Sequence, residues 1–452
     1  MALLAAFTDR CMGLEQEFFL VDEDGVLSNR ADEFLDLCRE AARESGRDPE
    51  GFAPECARSM VEINTPPVHS LAELARAYTA SLGLALDAGR EIGLRLYPLA
   101  TYPLPVQPEM RGEPHYYLQA HTVGRERFGH AGRCAGVHLH LELERGTVDP
   151  RAGVSYDSEK DGREELLNLY NLATALDAAL IALTRSCPFY EGIADGTAAR
   201  TALYRGDPSL APHGLYARLQ EVGGLLPYAG SVEELVGQQF ARYHAWLEAL
   251  DRAEVERRLF FETGGALLRA SSWNPVRLNR HGTVELRGID SNYPEKVLEI
   301  CALVSAAADR VRREHLAVTP REGLRVFEVS GDRLLVPDFG YLNGELFSAA
   351  VTGGIESPEI VAYLDSVLRF AGGGAVAGAS GGETGFEGLK YGGFYRTTES
   401  GILRGFPSAV SRISAERGLE LVREACSEFE KQVTSPRRGA AAEATRAGAN
   451  GD

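Results

Sequence analysis

Four short stretches of the chain gather carboxylates, histidines and arginines at strand spacing. GLEQEF (13–18) holds Glu15 and Glu17, and ECARSMVEINTP (55–66) holds Glu55 and Glu62. GVHLHLEL (136–143) carries His138, His140 and Glu142, and GTVELRGID (282–290) carries Glu285 and Arg287. Side chains two apart on a strand share a face. Glu15 pairs with Glu17, His138 with His140 and Glu142, and Glu285 with Arg287, while Gln16 and Phe18 point the other way. Glu55 and Glu62 are separated by an odd offset, which puts them on opposite faces of one straight strand, so their joint use requires a bend near Ala57.

Any one of these stretches also fits a half-exposed sheet, which alternates polar and apolar residues. Together they differ from a solvated face, because none of the four contains a lysine. Several carboxylates and an imidazole suit hard divalent cations such as magnesium or manganese. Arginine beside such a cation suits a phosphate, which it grips with two parallel hydrogen bonds. The chemistry indicated is metal-assisted phosphoryl transfer from a nucleotide. Like charges on a covered strand repel and lose hydration, a cost that a bound cation would offset.

The elements that must hold these residues are legible in the hydrophobic periodicity. Helical patterns run over 31–45, 71–92, 163–186, 231–258, 295–316, 356–370 and 408–432, the second opened by the capping-box residues Ser70 and Glu73. The Leu/Ala stripe at 166–183 reads as core packing. Strand-like runs lie at 14–21, 58–65, 93–100, 135–144 and 282–289. Strands and long helices mix without βαβ alternation, so the expected class is α+β with a largely antiparallel sheet. Residues 1–433 read as one domain. Within it, the Gly-rich segment 371–387 reads as a flexible loop or a mobile lid, and 434–452 as a disordered tail.

The chain of 452 residues carries a net charge of −18, which argues against nucleic acid or anionic membrane as a main partner. Seven widely spaced cysteines without a CxxC point to a reducing, cytoplasmic setting. Cys56 and Cys134 lie inside the motif stretches, where small buried thiols are ordinary core residues. The N-terminus lacks a signal-peptide pattern, and no apolar run is long enough to span a bilayer.

Taken in order, GLEQEF, ECARSMVEINTP, GVHLH and GTVELRGID resemble the glutamate–cysteine ligase family of the second, carboxylate–amine ligase type, within the glutamine synthetase-like superfamily. The likeness spans roughly residues 12–300 and extends to LATYPLP (99–105), SCPFYEGIADGTAARTALYRG (186–206) and WNPVRLN (273–279). It implies a curved antiparallel sheet forming a funnel with helices outside, ATP-magnesium entering one end and an amino acid the other. It further implies metal ligation by Glu15, Glu17, Glu55, Glu62, His138 and Glu285, with His138 also a possible substrate contact. Arg287 would neutralise the transferred phosphoryl group, and Arg200 and Arg277 would grip a substrate carboxylate or phosphate. Two departures stand out. Gln16 interrupts a run that is often acidic in relatives, and Ala100–Pro103 replaces a segment that often reads GTHP, leaving its substrate contacts open.

The function so implied is ATP-dependent amide formation between the γ-carboxylate of glutamate and an amine, with cysteine as the amine, through an acyl phosphate. The alternatives are a ligase of the same mechanism with other partners and a relative that binds without turnover. His115 and His121 are candidates for reaching ATP or substrate, a surface or core role being the plainer reading. The partners are small molecules, and a homo-oligomer is compatible with the sequence.

Overall fold

In a computed structural model, residues 7–149, 153–155, 160–372, 396–407 and 410–435 are described. The central element is β1 (Phe7–Asp22), paired along its length with four partners. The main sheet also contains β2 (Phe52–Pro54), β3 (Met60–Asn64), β4 (Val68–Ser70), β5 (Leu94–Tyr97) and β6 (Gly136–Glu142). A short hairpin of β7 (Val148–Asp149) and β8 (Val154–Ser155) stands apart, and β9 (Val276–Leu278) and β10 (Thr283–Asp290) complete the main sheet. Its order is β2-β3-β1-β6-β10-β9, with β4 and β5 also on β1, every pairing antiparallel. The sheet is not closed into a barrel, and the class is α+β as expected.

One face of the sheet is apolar. Phe18, Val61, Ile63, Val137, Leu139, Leu141, Val284 and Leu286 are buried in the main core. That core includes the helices Leu71–Glu91, Lys160–Thr184 and Pro294–Arg313. The Leu/Ala stripe of Lys160–Thr184 is core, with Leu166, Leu169, Leu176 and Leu183 all buried. The region Gly162–Thr184 is apolar and long enough to cross a membrane, but 89% of its most apolar stretch is buried within the protein. Ser70 caps the helix Leu71–Glu91 by accepting from the Glu73 amide at 3.2 Å.

Boundaries moved where local chemistry overrode periodicity. The pattern at 231–258 breaks after the helix Val232–Arg252, because Glu254 adopts a positive φ of 55°. From residue 410 on, the pattern at 408–432 becomes helical at Ala415, where Ser414 caps Ala415–Thr434 by accepting from the Arg417 amide. The Gly-rich segment, beyond Ala371 and Gly372, and the tail after Ser435 lie outside the described residues.

Candidate active site

The polar face of the sheet is assembled by register. Asn64, Glu15 and His138 stand opposite one another on β3, β1 and β6, and Glu62 stands opposite Glu17. One level further along, Arg277, Glu285 and His140 align across β9, β10 and β6, with Gly13 of β1 next in the row. Directly opposed residues share a face, so strands far apart in sequence deliver their functional side chains to one surface. The bend required for Glu55 is a hairpin: β2 runs antiparallel to β3, Ala53 opposes Glu62, and residues 55–59 turn between them. Gln16 points into the core, donating to Ser291 Oγ (2.9 Å) and the Asn292 carbonyl (2.8 Å) and accepting from Tyr78. Gly136 is required locally, because a Cβ there would collide with the Arg200 guanidinium while its amide donates to Glu17 at 2.6 Å.

The charges fall into two groups. Glu285 is completely buried and accepts from Arg277 Nε (2.7 Å) and Nη2 (3.0 Å), from Arg287 Nη1 (2.6 Å) and from Asn279. Burial opposes its ionisation, but Arg277 and Arg287 outweigh it and hold the carboxyl well below the usual range. Burial likewise opposes ionisation of Glu15, and the hydrogen bonds to His138 and His140 pull it below the usual range. Glu55 and Glu62 have the opposite surroundings. Burial and then Glu17 push Glu55 up to about 8, and burial with Glu15, Glu55 and Glu17 pushes Glu62 well above its ordinary value. Burial and the charge of Arg287 lower the pKa of His138, so its ring is neutral near pH 7.

The donor set fits divalent cations. Ligand atoms of Glu17, Glu55 and Glu62 lie within 4.8 Å of one another, as do those of Glu15, Glu62 and His138, and of Glu15, His140 and Glu285. His138 Nε2 is buried without a hydrogen-bond partner, while His138 Nδ1 is 3.0 Å and His140 Nε2 3.2 Å from Glu15. A neutral imidazole with an unpartnered nitrogen beside several carboxylates is a ready ligand for magnesium or manganese. Glu285 belongs to one of these groups, yet both its oxygens are already engaged by cations and an amide.

These residues face a cavity of about 330 Å³. Glu15, Glu17, Glu55, Glu62, His138, Arg277 and Arg287 line it, whereas Glu285 lies behind the two arginines. Arg200 does not reach it. Arg200 is buried behind Gly136, donates to the Arg287 carbonyl at 3.1 Å, and lines a much smaller adjoining void with Arg287 and Tyr204. The Ala100–Pro103 segment is buried in the core under the sheet end, and none of it lines the cavity. Cys56 and Cys134 do line it, but burial raises both thiol pKa values, so neither is a nucleophile near neutral pH.

Other wall residues escaped the sequence reading. The helix Pro114–Val123 presents Tyr116 and Gln119, not His115 or His121. Tyr204 and Trp273 add aromatic walls, Arg269 and Arg280 add cations, and His281 adds an imidazole that accepts from Arg280 Nε at 3.2 Å. The residues Tyr204 and Trp273 fall inside the stretches 186–206 and 273–279 already singled out. The turn residues Arg280 and His281 carried no periodic signal.

Comparison with known proteins bears on the fold and the family. A crystal structure of glutamate–cysteine ligase from Francisella tularensis in complex with AMP superposes with a TM-score of 0.51 at 11% identity, covering 98% of this chain and 93% of that one. The chain therefore shares the fold of that structure. A family model described as glutamate–cysteine ligase family 2 matches residues 11–344, and the chain belongs to that family. A glutamate–cysteine ligase of Halobacterium salinarum is 26% identical over 296 residues, 64% of this chain and 66% of that protein. This chain thus spans just under two thirds of that relative's length. A protein named putative glutamate–cysteine ligase 2-3 from Rubrobacter xylanophilus is 26% identical over 341 residues, 71% of this chain and 78% of that protein.

Proposed function

We propose that this protein is an ATP-dependent carboxylate–amine ligase that joins the γ-carboxylate of glutamate to the amine of cysteine. The observation that carries the reading is the convergence of four carboxylates and a neutral imidazole on one cavity whose wall also presents Arg277 and Arg287. An oxygen of the glutamate γ-carboxylate attacks the γ-phosphorus of ATP, and the bond to the ADP oxygen breaks. The resulting acyl phosphate is attacked at its carbonyl carbon by the cysteine nitrogen, the nitrogen loses a proton, and inorganic phosphate leaves.

Arg287, fixed by Glu285 at 2.6 Å, is held in its charged form and offers a pre-oriented cation to the transferred group. Glu15, Glu17, Glu55 and Glu62 with His138 would hold divalent cations, which neutralise phosphate oxygens when bound. The aromatic walls of Tyr116, Tyr204 and Trp273 would limit the water able to reach the acyl phosphate. All seven cysteines are free of disulfides, as a reducing cytoplasm would keep them.

The test is ADP release by the purified protein with ATP and magnesium, against glutamate and a panel of amines. Dependence on both glutamate and cysteine is the expected result. Turnover only with a different amine assigns another substrate to the same mechanism, and no amino-acid-dependent ADP release anywhere in the panel refutes the ligase reading.

A further inference from the structure

Asp177 stands out in a helix that is otherwise core. Between Glu165 and Arg185 the chain carries this one charged residue, amid the buried Leu and Ala stripe of the helix Lys160–Thr184. A charge in such a place needs a partner. Arg205, at the end of the helical turn Thr201–Arg205, supplies it, with Nη1 donating to Asp177 Oδ2 at 2.5 Å. The two side chains are 7% and 3% exposed. Arg205 is itself fixed, donating from Nη2 to Asn343 Oδ1 at 3.1 Å and lying over the Phe347 ring at 4.4 Å. Replacing a buried ion pair by well-packed apolar residues is often neutral or stabilising, so stability alone gives no reason for one in the centre of this core.

What the pair lies against gives a reason. β10 pairs with β6 as Leu286 to Leu139 and then as Ile289 to Val137. Arg287 and Gly288 therefore stand together opposite the single residue His138, which is a bulge, and bulges beside active sites re-aim side chains. Leu286 and Ile289 both enter the main core although they are three apart, so alternation is broken here, and the break decides where the Arg287 side chain points. Its Nη1 lies 2.6 Å from Glu285 and 3.4 Å from His138 Nδ1. The backbone of the bulge is held at three points. The Arg287 amide donates to the Pro275 carbonyl at 2.7 Å, the Arg287 carbonyl accepts from Arg200 at 3.1 Å, and a Cβ on Gly288 would come within 2.8 Å of Asp177 Oδ1. Gly288 does not have a positive φ, so the contact with Asp177 is what a side chain would meet. Asp177 is the stop beneath the bulge, and Arg205 holds the stop in place.

We propose that Asp177 and Arg205 are a positioning pair for Arg287: the buried ion pair sets the bulge of β10 and, through it, the direction of the Arg287 side chain. This rests on the ligase reading, in which Arg287 meets the transferred phosphoryl group, and extends it to residues on the helix side of the sheet. Neither Asp177 nor Arg205 lines the large cavity, and neither touches substrate. The consequence is kinetic. A misplaced cation stabilises the transition state less while ground-state binding is kept, so kcat falls and KM holds.

The test is steady-state ADP release by the full chain with ATP, magnesium, glutamate and cysteine or, failing that, the panel amine that wild type turns over. The proteins compared are wild type, Asp177→Ala/Arg205→Met, Gly288→Ala and the triple variant that combines them. Removing both charges together avoids leaving one buried and unpaired, and calorimetric melts with circular dichroism check the fold. Rates are read well below every Tm. In the double variant and in Gly288→Ala, kcat should fall by about 10–10²-fold with little change in KM. In the triple variant the new methyl has no carboxylate to meet, so the loss should be no larger than in the double variant. A merely structural pair would lower Tm and leave kcat intact, so a folded double variant with wild-type kcat overturns the inference. Wild-type kcat in Gly288→Ala overturns it too, and that variant keeps both charges and adds one methyl, so it decides the matter where the double variant does not fold. Losses that multiply in the triple variant also count against it. A wild type that releases no ADP with any amine of the panel refutes the ligase reading and the inference with it, an outcome visible before any variant is made.

Discussion

Glu285 and Glu62 stand on the same sheet face in opposite electrostatic company. Around Glu285 the protein supplies its own counter-charges, with Arg277 and Arg287 donating to a fully buried carboxylate. Around Glu62 it supplies more carboxylates: Glu17 across the strand pair, Glu15 and Glu55 nearby, and a single amide donor from Asn64 at 3.1 Å. One carboxyl is held well below the usual range and the other well above it. A buried charge completed by the protein orients its partners, here two arginines. One left incomplete holds a proton until a cation replaces it.

Breaking the completed half should have the largest effect. Arg287→Ala removes the cation that faces the cavity and strips a partner from Glu285, and kcat should fall by about 10²–10³. Steady-state ADP release measures this, with circular dichroism to confirm that the protein is folded, and a near-normal rate would remove Arg287 from the chemistry. Glu17→Gln should likewise abolish turnover at saturating magnesium without unfolding the protein.

The incomplete half is probed by Glu62→Gln. The metal-free variant should be at least as stable as wild type, because an amide replaces a carboxyl that burial and its acidic neighbours keep from ionising. Magnesium at about 100 times its Kd should stabilise wild type by about 2.7 kcal/mol, and the variant should lose most of that gain in calorimetric melts. An equal magnesium-induced rise in Tm in both proteins would mean that the cation is held elsewhere.

Proton linkage sharpens the same contrast. Glu55 is raised to about 8 in the folded protein, against about 4.3 for an unfolded glutamate. Between those values the native state binds the extra proton, so this contribution to metal-free stability is full below about 4.3 and is lost as pH rises through about 8. Saturating magnesium should flatten that decline, and its binding should release protons, seen as a dependence of calorimetric heat on buffer ionisation enthalpy. A metal-free Tm that climbs over this range would contradict the assignment.

The smallest effect on activity belongs to the far face of β1. Gln16→Glu costs the donors to Ser291 and Asn292 and should destabilise by about 1–3 kcal/mol while kcat stays near wild type. A collapse of kcat with unchanged stability would place Gln16 in the chemistry instead.

Much of the site was legible because strands obey a period of two. Glu15 and Glu17 on one face and Gln16 and Phe18 on the other follow from alternation alone, as does the sharing of a face by Glu285 and Arg287. The helix Pro114–Val123 was less transparent. Its histidines drew attention, but its packing turns Tyr116 and Gln119 to the cavity and leaves His115 exposed. Arg200 was drawn by its motif and lies behind the wall, where only Gly136 leaves room for it.

The sequence by itself determined the residue types, the faces of each strand, the α+β class and the family. Tertiary structure decided which carboxylates meet cations. That choice depends on β9 lying beside β10, so that Arg277 opposes Glu285, and on a hairpin returning Glu55 to Glu62. It depends also on a bulge after Leu286, where Gly288 approaches Asp177 so closely that a Cβ would come within 2.8 Å. The registers that unite β3, β1, β6 and β10 join segments far apart in the chain, and local periodicity carries no information about which strands will be neighbours.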